Sequence, residues 1–167
     1  MWAWIGVATT VSYGASMSTS DAAEFGKLTA FAAIGIGAFT CALAGWLADR
    51  IGKAQMTIWT MAASASAAIL TAATFGGAPW ITFVVVMFWG MTIVPDSAQF
   101  SALVADYSPP DKAGSLMTLQ TALGFALTTA TVQLTPLAAA SFGWPWVLAA
   151  LALGPVAGIA SMWRLRS

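Results

Sequence analysis

One carboxylate stands apart from the others in this sequence. Asp96 lies inside a long apolar run, Trp80 to Ala105, and directly follows Pro95. An ionised carboxylate in hydrocarbon is costly unless it faces a polar cavity or a partner, so it is a functional candidate by default. Thr92, Asp96 and Gln99 stand at i−4, i and i+3, which puts all three on one helical face. Two readings fit that face: handling of a solute or proton, or a polar contact that holds two helices together. Further on, Gln120, Gly124, Thr128, Thr131 and Thr135 recur at helical spacing. That stripe either lines an aqueous pathway or bonds back to its own helix carbonyls. Bond-making catalysis has less to work with. There is no histidine, and Cys41 is the single cysteine. A histidine triad, a His/Cys metal cluster and a disulfide framework are excluded. The remaining ionisable groups gather at the ends of apolar runs, where no nucleophile and base come together. The chain reads as a non-enzyme with no cofactor and no metal, and Cys41 reads as a small buried apolar residue.

These candidates need elements to carry them, and the composition says which. The chain has 167 residues, 59% of them hydrophobic and 7% charged, with a mean hydropathy of +0.82. Soluble domains carry about 25% charged residues. The expected class is therefore an all-α, multi-pass membrane protein in a lipid bilayer. A formal net charge of zero gives no basic footprint for nucleic acid. No basic residue precedes Lys27, which argues against a cleaved signal peptide.

Six apolar stretches form a single bundle over 1–167, at about 2–17, 28–47, 56–75, 80–105, 114–137 and 147–162. The first is short: as a helix it covers about 24 Å of a hydrocarbon core near 30 Å thick. Ser20 and Asp21, with Glu24, suit the capped start of the second span. In that span Ala33, Gly37, Cys41 and Gly45 recur every fourth residue, a small-residue stripe that permits close helix contact. Gly76, Gly77 and Pro79 end the third span. Pro95 is expected to bend the fourth. Pro109 and Pro110 open the next connection, and Ala138 to Trp146 reads as a loop with Gly143 and Pro145. Gly154 and Pro155 should kink the sixth span. Lys53, Arg50, Lys112, Arg164 and Arg166 fall on one side of a six-span topology, and Lys27 alone falls on the other. The positive-inside rule then places both termini in the cytoplasm.

The densest charge in the chain lies between the second and third spans: Gly45-Trp46-Leu47-Ala48-Asp49-Arg50-Ile51-Gly52-Lys53. It reads as a tight turn between two helices. This stretch resembles the loop motif of the major facilitator superfamily, G-x-x-x-D-R-x-G-R-[KR]. Gly45, Asp49, Arg50 and Gly52 match, Lys53 takes the first basic position, and Ala54 departs from the second. Asp96 to Val104 and Leu119 to Phe125 look similar to later spans of the nitrate/nitrite-porter-like branch. Gly154-Pro155-Val156-Ala157-Gly158 resembles the core of an antiporter motif, but that motif belongs to a different helix, so it reads here as a kink-and-packing sequence.

The resemblance implies a particular architecture. Six spans would form the C-terminal half of a twelve-helix transporter, in the bacterial inner membrane, with solute bound between two halves. Asp96, Gln99, Thr92, Gln120 and Thr128 would be the substrate or proton pathway. Gly45, Asp49, Arg50, Gly52 and Lys53 would form the conformational loop, with Arg50 latched to Asp106. The missing half must come from a second chain, from a second copy, or not at all. In the last case the chain is a transport-inactive half-transporter serving a larger membrane complex as an accessory or assembly subunit.

Overall fold

The computed structural model describes residues 2–163, apart from the side chains of Trp2 and Asp96. The basic tail expected at Arg164 and Arg166 lies outside the described residues. Those described form helices and turns, with no strand among them. In order, the helices are α1 (Trp2–Tyr13), α2 (Thr19–Ile51), α3 (Lys53–Ala73), α4 (Pro79–Tyr107), α5 (Ala113–Phe142), α6 (Trp144–Ala150) and α7 (Leu153–Trp163). Five stretches are long and apolar enough to cross a membrane: α2, α3, α4, α5 and the combined Trp144–Trp163 segment. At about 18 Å, α1 is shorter than a hydrocarbon core.

Several boundaries differ from the sequence expectation. The second span does not stop at Leu47. It runs to Ile51, so α2 is about 50 Å long and the loop motif forms its last turns. Gly52 alone separates α2 from α3. Its φ of 94° is a left-handed value that glycine adopts without strain. The fifth span likewise continues past Leu137 to Phe142, and the expected loop shrinks to Gly143, φ 84°. The sixth stretch breaks outright: Leu151 and Ala152 form a turn between α6 and α7. Pro155 has no N–H to offer the carbonyl of Leu151, four residues back, so the helix ladder is interrupted at that point. At the start of α2 the cap is Ser18, not Ser20. The Asp21 N–H donates to Ser18 Oγ at 3.3 Å, and the Ser18 hydroxyl donates to Asp21 Oδ2 at 2.7 Å.

α2 and α4 pack at the centre. A Cβ on Gly90 would lie 2.5 Å from the carbonyl oxygen of Ala33, and one on Gly37 would lie 2.6 Å from that of Gly90. The two backbones therefore touch, which only glycine at both positions allows. The small-residue stripe on α2 is real at Ala33 and Gly37 and then drifts. Ala44 and Ala48 are buried beyond it, while nothing lies within 4 Å of a Cβ at Gly45. The main core gathers Ile5, Ala33, Ala68, Val86, Trp89 and Leu148 from α1, α2, α3, α4 and α6. Trp89 is 2% exposed, and its indole N–H donates to Ser64 Oγ at 3.2 Å. A smaller cluster of Ile58, Leu103 and Met162 closes the end that carries the loop motif. At the opposite end, Tyr13, Phe25, Phe83 and Trp80 form an aromatic cluster in which Phe25 stacks on Phe83 and Trp80 meets both edge to face. There the Gly76 N–H donates to Ser12 Oγ at 2.9 Å, pinning the α3–α4 turn to α1.

Candidate functional site

The loop motif closes on a different pair from the one expected. Lys53 Nζ donates to Asp106 Oδ2 at 2.6 Å, joining the first residue of α3 to the end of α4. Arg50 does not take that position. Its guanidinium lies over the Trp46 ring, 3.9 Å from the centroid, one turn back on α2. The reason is local. Arg50 and Trp46 are four residues apart and share a helix face. Lys53 follows the positive-φ glycine, which turns the chain so that its side chain faces α4. The pair borders a cavity of about 600 Å³ that Asp49, Gly52 and Tyr107 also line. Both partners are partly exposed, so the bridge contributes little stability on its own.

The pathway residues expected on α4 do not line one common cavity with those on α5. Thr92 is buried, and its hydroxyl donates to the Trp89 carbonyl at 3.0 Å. Its cavity, about 290 Å³, lies against α2 and α3 and includes Thr40 and Pro95. Gln99 is buried as well. Asp96 is placed by its backbone alone, in α4 directly after Pro95. Thr128 belongs to another cavity, of about 390 Å³, between α1, α4, α5 and α6. Trp4, Ser97, Thr131, Thr135 and Trp144 line it with Thr128. Gln120 lies two turns away on α5, and its Oε1 is buried with no hydrogen-bond partner among the described residues.

The two readings of the α5 stripe are resolved in part. Thr128, Thr131 and Thr135 each donate to a carbonyl of their own helix, at 2.8, 2.9 and 2.7 Å. They therefore need no water to satisfy their hydrogens, yet all three line the cavity. α5 itself has no buried residue among those described, and positions 121–131 are exposed on every side over about three turns.

Two polar contacts explain how prolines sit inside long helices here. Pro95 cannot donate to the carbonyl of Met91, four residues earlier. The Thr40 hydroxyl from α2 approaches that carbonyl at 2.9 Å. Pro136 likewise frees the carbonyl of Val132, and the Trp4 indole N–H from α1 donates to it at 3.1 Å. Each freed acceptor thus receives a donor from a neighbouring helix, at an exposed position for Met91 and a partly buried one for Val132. The prolines were a visible signal in the sequence. The donors were not, because Trp4 and Thr40 lie 128 and 51 residues from the carbonyls they reach.

No protein-family model, curated protein or solved structure matches this chain.

Proposed function

We propose that this chain is one half of a secondary transporter of the major facilitator type, which moves a small solute together with a second six-helix half. The observation that carries the reading is the state of α5. It is a thirty-residue apolar helix with no buried residue, it bears a Gln120-to-Thr135 polar face, and it flanks a cavity that Thr128, Thr131 and Thr135 line. Gln120 Oε1 is buried with no hydrogen-bond partner among the described residues, an unmet acceptor in an apolar bundle. A second bundle laid against α5 would cover the exposed stretch 121–131 and close a pathway near the midplane, as in transporters built from repeats.

Other features support the same reading. The match at Gly45, Asp49, Arg50, Gly52 and Lys53 stands on a hinge between two spanning helices, and Lys53 ties that hinge to Asp106 at the end of α4. Such a tie can break and remake as a bundle rocks. α1 would be the first of six spans, and both termini would be cytoplasmic, in a bacterial inner membrane. Asp96, Gln99 and Thr92 on α4 and Gln120 and Thr128 on α5 would serve the pathway.

The test is the composition of the native particle. After extraction in a mild detergent, native mass spectrometry should find two six-helix chains, either two copies or this chain with another. A particle dominated by a large unrelated membrane complex would overturn the transporter reading and favour an accessory or assembly subunit.

A further inference from the structure

The cavity between α1, α4, α5 and α6 has a one-sided hydrogen-bonding character. The hydroxyl hydrogens of Thr128, Thr131 and Thr135 are directed to the carbonyls of Gly124, Thr128 and Thr131. What these side chains offer the cavity is oxygen lone pairs. The Trp4 indole N–H is engaged by the Val132 carbonyl. Leaving Ser97 aside, the indole N–H of Trp144 is the one side-chain donor of the lining that no such bond engages. No lysine or arginine lines the cavity; among the described residues Arg50, Lys53 and Lys112 lie at or beyond helix ends, and Lys27 lies in the third turn of α2. The lining is thus largely apolar, its polar part is mostly acceptor oxygens, and it contains two indole rings.

An inorganic anion needs convergent donors or a positive charge, and this lining supplies neither. A cation gains from lone pairs and from indole π density. The volume, about 390 Å³, is at the small end of ordinary ligand sites. We infer that this cavity binds a small organic ammonium cation and discriminates against anions such as nitrate. The inference deepens the transporter reading and rests on it for its role as a substrate site. It also sets the substrate class apart from the nitrate/nitrite branch that the sequence resembles.

Choline and its neutral carbon isostere, 3,3-dimethylbutan-1-ol, make the discriminating pair, because they have the same shape and differ in charge. Each is titrated calorimetrically into the protein purified in maltoside detergent, and nitrate is tested as a competitor. Choline should bind saturably, about tenfold or more tighter than the alcohol, and nitrate should not displace it. Thr131→Val keeps the side-chain shape and removes a lone-pair acceptor, and should weaken choline about fivefold. Thr135→Val serves the same purpose should the first variant not fold, with circular dichroism as the control. Equal affinity for choline and the alcohol, displacement by nitrate, absence of choline binding, or wild-type affinity in both valine variants would each overturn the assignment. The transporter reading fails separately. Selective choline binding by a particle that lacks a second half leaves the cavity assignment standing and removes the transporter. A two-half particle that takes up nitrate through this cavity does the reverse.

Discussion

At the scale of single residues, the clearest pattern is the pairing of each mid-helix proline with a donor from elsewhere. Proline removes one N–H from the ladder, and the carbonyl four residues earlier is left without its partner. In an apolar bundle that carbonyl has no water to turn to. Thr40 answers Met91, and Trp4 answers Val132. Interhelical hydrogen bonds of this kind contribute on the order of 1 kcal/mol in membrane proteins. Thr40→Val should therefore destabilise the bundle by about 1 kcal/mol in a reversible unfolding titration. Pro95→Ala restores the missing N–H, so the Thr40 substitution should cost much less on that background. A double-mutant cycle reads the difference directly, and purely additive effects would show that Thr40 does not serve the Met91 carbonyl. The same scale shows how a pairing inferred from resemblance went to the neighbouring base. Asp106 meets Lys53, while Arg50 turns to Trp46. Arg50 and Lys53 are three residues apart, and the residue between them that decides the outcome is Gly52, through its backbone angle.

At the scale of elements, the bundle is held by the crossing of α2 and α4. Gly37 and Gly90 bring the two backbones into contact, and Trp89 beside them anchors α3 through Ser64. Overpacking a site of this kind costs about 1–3 kcal/mol or more, because the obstacle is backbone and cannot rotate away. Gly90→Val should cost at least that much in thermal or denaturant unfolding, whereas Gly45→Val, with nothing within 4 Å, should be near neutral. Equal losses at the two sites would contradict the crossing. The four-residue stripe on α2 was legible in the sequence, and its first half is the contact. Its second half moved to Ala44 and Ala48, because 3.6 residues per turn does not keep a strict four-residue repeat on one side of a long helix. Helix ends were read less well. Apolar character stops where lipid is expected to stop, but the backbone ladder continues until a residue such as Gly52 or Gly143 interrupts it.

At the scale of the whole molecule, helices of about 45–50 Å exceed a hydrocarbon core near 30 Å, so their ends must project. If the Lys53–Asp106 end faces the cytoplasm, single cysteines introduced on a Cys41→Ala background should report it. Ala78→Cys, in the α3–α4 turn, should react with an impermeant maleimide from outside intact cells. Asp111→Cys, in the α4–α5 turn, should react only after permeabilisation. The opposite pattern would invert the topology and remove the positive-inside argument. What the sequence by itself determined was the class: 7% charge and long apolar runs point to apolar helices of membrane-spanning length, and five such stretches form. It also marked the tight turn at Gly52 and the helix-interrupting proline at Pro95, since both follow from residue type and position along one helix. Only the tertiary structure decided which base meets Asp106, that Thr92 and Thr128 line separate cavities, and which distant donors cap the freed carbonyls. Periodicity along a helix says which residues share a face. Which neighbour that face meets depends on how the helices cross, and the crossing is settled by contacts between residues far apart in the chain.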